Sequence, residues 1–227
     1  LGLDPKAGGF DFNLGFLIQK EYDPSVFFLP VDFIYLVLLG IIIGIFAELY
    51  SRYVLLMQNL GKKWYKNKFV LKMSICGLIL GSIYSFLPST FHNLDELQKI
   101  IAEQNTSIGI ALLAVLVLFI TTGLAAASGA PGGLFYPMLT LGGSIGLIMG
   151  SWVEIATGHA PSTYIFAGMG AFVAGCSRTP ITAMFLAFAL TKNLLIMKPV
   201  LISCIASFLV ARAFNEESIY ERQIQIE

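Results

Sequence analysis

The stretch Ser128-Gly-Ala-Pro-Gly-Gly-Leu-Phe-Tyr-Pro-Met138 has the residue types needed to hold an anion without a formal cation. Gly132 and Gly133 permit a sharp turn and let another group approach the main chain closely. Pro137 is tolerated only in the first helical turn, so it places a helix start near Gly133 or Leu134. The first N–H groups of a helix have no acceptor within it, and no Asp, Asn or Thr stands close by to cap those of Gly133, Leu134 and Phe135. A helix start carries about half a positive charge and binds anions. Such dipoles can bind and release a permeating ion, whereas a buried Lys or Arg in contact with it would hold it tightly. The same residues also read as a Gly/Pro-rich reverse turn at a membrane surface. From this motif alone both readings stand.

What separates them is depth, and the flanking elements bear on it. The chain is 56% hydrophobic and only 12% charged, about half the charged share of a soluble domain. From Gln104 to Val153 there is no Asp, Glu, Lys or Arg, enough chain for two bilayer crossings at roughly 20 residues each. An all-α, polytopic membrane fold follows. Apolar helices are expected over Val31–Leu60, Phe69–Phe86, Thr106–Ser128, Leu134–Ile155 and Pro199–Phe214, with an amphipathic segment over Asn93–Gln104. Tyr164–Cys176 and Ile181–Thr191 are too short to span, and Ser218–Glu227 starts one more helix. Half-length helices must end against protein or a water-filled cavity, and broken helices are how many transporters build a substrate site. Residues 1–30 read as a linker from a missing upstream half, since Leu1-Gly-Leu-Asp-Pro lacks an initiator Met and a signal-peptide pattern.

The remaining chemistry-bearing residues give weaker signals. Lys62, Lys63, Lys66 and Lys68 place their loop on the cytoplasmic side. Cys76, Cys176 and Cys204 lie singly in apolar stretches and suggest neither metal nor disulfide. His92 and His159 sit beside helix ends, and Glu154 falls at the interface before Gly158. Arg178, between two short helices, is either a functional intramembrane charge or a partner for a helix C-terminus. Gly168, Gly170, Ala171, Ala174 and Gly175 make a face suited to close helix packing. Lys and Arg equal Asp and Glu at 14 each, which gives no argument for a nucleic-acid partner. There is no HExxH motif, and no catalytic residue, metal or cofactor is expected.

The Ser128–Gly142 segment closely resembles the signature of CLC-type chloride channels and proton-coupled chloride antiporters around their GxFxP anion loop. Ala167–Thr182 looks like that family's paired short helices, and Leu39–Phe46, Ile120-Thr-Thr122 and Ile219-Tyr220 fit in the same order. The resemblance implies the C-terminal half of the membrane domain (residues 31–227), with one half of an inverted-repeat fold. It further implies chloride held by the N–H groups of Leu134 and Phe135 on the Gly132-Gly133 turn, with the Tyr220 hydroxyl donating to the same ion. By sequence alone Tyr220 is equally an interfacial belt tyrosine. The family's assembly implies a homodimer in the bilayer through residues from about Ile181 to Phe214, and a prokaryotic plasma (inner) membrane location is expected. Three positions depart from the family pattern: Leu118 replaces a basic residue, Ala189 a Glu, and Tyr136 a small residue. The second anion loop and the gating glutamate have no match here and would lie upstream, which leaves channel and exchanger undivided. A secondary transporter of a neutral or carboxylate solute, also built on broken helices, is the competing expectation.

Overall fold

The computed structural model describes residues 30–64, 69–102, 106–129, 133–158, 162–191 and 194–226. Among these the regular elements are all helical: α1 (Pro30–Trp64), α2 (Phe69–Ser85), α3 (Leu94–Ala102), α4 (Ile108–Ser128), α5 (Phe135–Thr157), α6 (Thr163–Ser177), α7 (Pro180–Thr191), α8 (Met197–Phe214) and α9 (Ile219–Ile226), with short 3-10 turns at Ser89–Phe91 and Leu194–Ile196. Stretches long and apolar enough to cross a membrane are Asp32–Lys63, Ile108–Ser128, Phe135–Thr157 and the run Leu194–Gln225. The helices Val70–Ser85, Thr163–Ser177 and Pro180–Thr191 are apolar but shorter. The expected mixture of spanning and half-length helices is therefore present.

The main boundary difference is at α1, which runs to Trp64 rather than stopping near Leu60. Gly61 looks like a breaker, yet a Cβ there would lie 2.2 Å from the Ala127 carbonyl oxygen. The glycine is kept small by the end of α4, and the helix continues past it. Lys62 and Lys63 then fall in its last turn, where cations complement the negative end of the macrodipole. α5 closes on Gly158 at φ 71°, whose N–H bonds the Glu154 carbonyl at 2.8 Å.

α6 is the hub. Thr163 to Cys176 are all buried. Lipid is as apolar as a leucine side chain, so membrane helices associate through close packing and polar contacts. A Cβ on Gly168 would stand 2.3 Å from the Gly142 carbonyl oxygen, which puts α6 hard against α5. One on Gly175 would meet Ala47 Cβ and Ser207 Oγ at 2.7 Å, so the small-residue face also receives α1 and α8. Three buried hydrogen bonds tie these layers: Ser207 Oγ to the Ala171 carbonyl at 2.7 Å, Ser203 Oγ to the Leu36 carbonyl at 2.9 Å, and Tyr164 Oη to Asp32 Oδ1 at 2.9 Å. The outer faces of α2, α4, α7 and α8 remain apolar, with Leu78, Leu116, Ile181 and Leu209 exposed.

Candidate functional site

The α4–α5 break is built by a stop and a start that leave donors unused. α4 stops at Gly129 in the left-handed region, φ 73°, with its N–H on the Ala126 carbonyl at 3.3 Å. Gly132 lies outside the described residues. α5 begins with Leu134 at its N-cap (φ −78°, ψ −14°), where no side chain caps the helix. The Leu134 carbonyl accepts the Met138 N–H at 3.1 Å, so the first turn is fully wound. Among the described residues the N–H groups of Gly133, Leu134 and Phe135 have no acceptor. Gly133 differs from expectation in one respect. Its φ is not left-handed, and a Cβ added to it would meet nothing within 4 Å. Open space therefore lies where a side chain at Gly133 would stand.

That space belongs to a cavity of about 640 Å³, into which Gly133, Leu134 and Pro137 face. α4 contributes Leu118, Thr121 and Thr122; α1 contributes Gln58 and Lys62; α2 contributes Lys72 and Tyr84; α9 contributes Gln223. The threonine hydroxyls donate to their own helix, Thr121 to the Val117 carbonyl at 2.8 Å and Thr122 to the Leu118 carbonyl at 2.6 Å.

The expected site residues are therefore only partly brought together. Gly133 and Leu134 line the cavity, and Phe135 opens the helix behind them, packed on the core. Tyr220 stands on α9 three residues before Gln223, hence on the same helical face, but it is not itself on the cavity wall and is 41% exposed. No hydrogen bond of its hydroxyl to a described residue is present.

The charges sequence reasoning passed over are as informative. Glu48, inside α1, is 3% exposed and accepts from three arginines. Arg178 Nη2 reaches its Oε2 at 2.7 Å, Arg222 Nη1 and Nη2 reach Oε1 and Oε2 at 3.1 Å, and Arg52 Nε reaches Oε1 at 2.9 Å. Arg178, left-handed at φ 61°, ends α6 and also bonds the Gly175, Ala211 and Asn215 carbonyls. Its role is thus the helix-end partner rather than a free intramembrane charge. The available signal was a carboxylate inside an apolar span, which is costly unless paired. His92 Nε2 lies 2.9 Å from the Tyr84 carbonyl at a loop, whereas His159 is outside the described residues. Among the described residues no cluster could hold a metal.

Comparison with known proteins fits this architecture. The chain is 30% identical over 191 residues to the H(+)/Cl(−) exchange transporter ClcA of Vibrio parahaemolyticus, covering 82% of this chain and 41% of that protein. It is 31% identical over 203 residues to the protein of the same name from Klebsiella pneumoniae, covering 86% and 43%. The chain thus spans less than half the length of these relatives. Among solved structures it superposes on a slow cyanobacterial Cl−/H+ antiporter with a TM-score of 0.76 at 25% identity, covering 88% of this chain and 48% of that one. A eukaryotic CLC transporter shares the fold at a TM-score of 0.72 and 21% identity, covering 89% and 36%. The family described as voltage gated chloride channel matches residues 10–212, which includes both helix breaks and stops short of Tyr220. With nine-tenths of the sequence inside that match, and the fold to go with it, the chain belongs to the voltage gated chloride channel family.

Proposed function

We propose that this chain supplies one half of a transmembrane pathway for chloride or a similar small anion, working as a channel or an anion/proton exchanger in a prokaryotic inner membrane. The observation that carries this is the α5 start: among the described residues the N–H groups of Gly133 and Leu134 have no acceptor, and both residues line a cavity that carries two lysines and no Asp or Glu. Unpaired amides at depth each cost several kcal/mol, about what makes an anion there a welcome partner. The relatives named above, two of them H(+)/Cl(−) exchange transporters, support chloride as the ion. In this arrangement Leu134 and Phe135 donate main-chain N–H groups, Gly132 and Gly133 keep the approach clear, and Tyr220 turns its hydroxyl toward the ion from α9. The relatives named above are exchange transporters, which supports movement of the ion without chemical change.

The homodimer expected from the family would use α7 and α8, which expose Ile181, Phe185, Ile205 and Leu209. Mass measurement of the detergent-solubilised complete protein tests that assembly.

The anion site is tested by chloride titration calorimetry on the complete protein with a pair of variants. Leu134 has φ −78° and follows a glycine, so proline fits its backbone while removing its N–H. Leu134→Pro should weaken chloride binding by about 1.5–3 kcal/mol, the worth of a hydrogen bond to a charged group, while Leu134→Ala retains most of it. Equal affinities in the two variants would refute a main-chain site. Chloride-independent uptake of an organic solute would favour the competing transporter class.

A further inference from the structure

Lys72, on α2, is 8% exposed and makes no hydrogen bond or ion pair with any described residue. An ammonium buried to that extent in a membrane helix costs free energy unless something compensates it. Its methylene chain crosses from α2 to the junction of α1 and α4: Lys72 Cε lies 3.1 Å from the point where a Cβ on Gly61 would stand, and the Ala127 carbonyl oxygen lies 2.2 Å from that same point. The last turn of α4 is the negative end of its dipole, which suits a cation nearby. It does not use the three ammonium donors, and the cavity is where they have room. Gly133 and Leu134, whose N–H groups have no acceptor among the described residues, line the same cavity, as does Lys62. Donor-bearing residues thus share its wall, and no carboxylate lines it among the described residues.

We propose that Lys72 forms an access site where a small inorganic anion, chloride in the first instance, pauses between water and the amides that start α5. This rests on the chloride function proposed above and adds a second residence point to it. A volume of about 640 Å³ accommodates an anion with many of its waters, each needing about 30 Å³. The ion at Lys72 therefore stays hydrated and exchanges freely, unlike one stripped and held by a buried cation. Lys62 and Lys63 extend the positive field to the end of α1, so the anion is drawn from the side of the membrane they face.

The test is chloride uptake by the complete protein in phosphatidylcholine vesicles, measured against chloride concentration at low ionic strength. Lys72→Met should raise the half-saturating chloride concentration about tenfold, with a much smaller effect on the saturating rate. Lys72→Arg should restore it to within about twofold, and about 1 M of a bulky impermeant salt should shrink the gap between Lys72→Met and the parent. An unchanged half-saturation in Lys72→Met would overturn the access site. So would a loss confined to the saturating rate, which would give Lys72 to the end of α4 alone. A shift seen only in phosphatidylglycerol vesicles would overturn chloride in favour of a lipid phosphate. Leu134→Pro run beside these keeps the two claims apart. If it loses chloride binding while Lys72→Met matches the parent, only the access site fails; if Leu134→Pro binds as the parent does, the α5 site fails.

Discussion

The chain breaks its helical run at Gly129–Leu134 and again at Arg178–Thr179, and the two breaks treat their polar groups in opposite ways. At the second, the orphan carbonyls of α6 and α8 are taken up by the Arg178 guanidinium, and its charge is answered by Glu48. Arg222 on α9 closes on the same carboxylate with both terminal nitrogens. At the first, the N–H groups of Gly133, Leu134 and Phe135 have no described acceptor, and Gly133 and Leu134 line a cavity. One break is sealed by side chains and fixes the packing of α1, α6, α8 and α9. The other has no acceptor among the described residues, and the proposed anion site rests on that difference.

The sealed break should be the more fragile under mutation. Glu48→Gln removes the carboxylate that two buried guanidinium groups share, and we expect a loss of about 3–5 kcal/mol in the unfolding free energy of the detergent-solubilised complete protein. Glu48→Leu combined with Arg222→Met should recover part of that, because Arg178 retains its three carbonyls and the other two charges are gone. If the double variant is no more stable than Glu48→Gln, the cluster is not acting as one ionic unit. At the open break the expectation reverses: Leu134→Pro costs about 1.5–3 kcal/mol in chloride affinity and little in thermal stability. Intermediate between them is the packing that holds both in register. Gly168→Ala drives a methyl toward the Gly142 carbonyl and should destabilise by about 1–3 kcal/mol in the same unfolding assay. The smallest effect is predicted for Gly133→Ala, within about 0.5 kcal/mol of the parent in unfolding, since nothing stands within 4 Å of the added carbon. A large loss there would mean that the turn, and not the open space, needs the glycine.

Most helix boundaries were legible from hydrophobic runs and their Gly/Pro stops, because those signals are local. Leu87-Pro88 ends α2 and Gly158 ends α5 for the reasons a reader of sequence would give. The exception at Gly61 is instructive: only the approach of Ala127, 66 positions further on, explains why a glycine is carried inside a helix there. The open amides were likewise legible, since Pro137 and the absent cap are neighbours of the donors. The Glu48 cluster was not. Sequence offers the Glu48–Arg52 spacing of four, whereas the partners that bury the carboxylate lie 130 and 174 positions away. Lys72 escaped for the same reason, being one cation in a short apolar helix until the fold sets it at a cavity. That cavity also receives Leu118, where a basic residue was expected, so the wall lacks a cation from α4 and receives one from α2.

The most direct measurement of the central claim is an anomalous-difference map of the complete protein crystallised in bromide. A bromide peak within hydrogen-bond reach of the Leu134 and Phe135 nitrogens, lost in Leu134→Pro, is the predicted result. A map empty at that position, with those nitrogens bonded to oxygens of the protein itself, would contradict it.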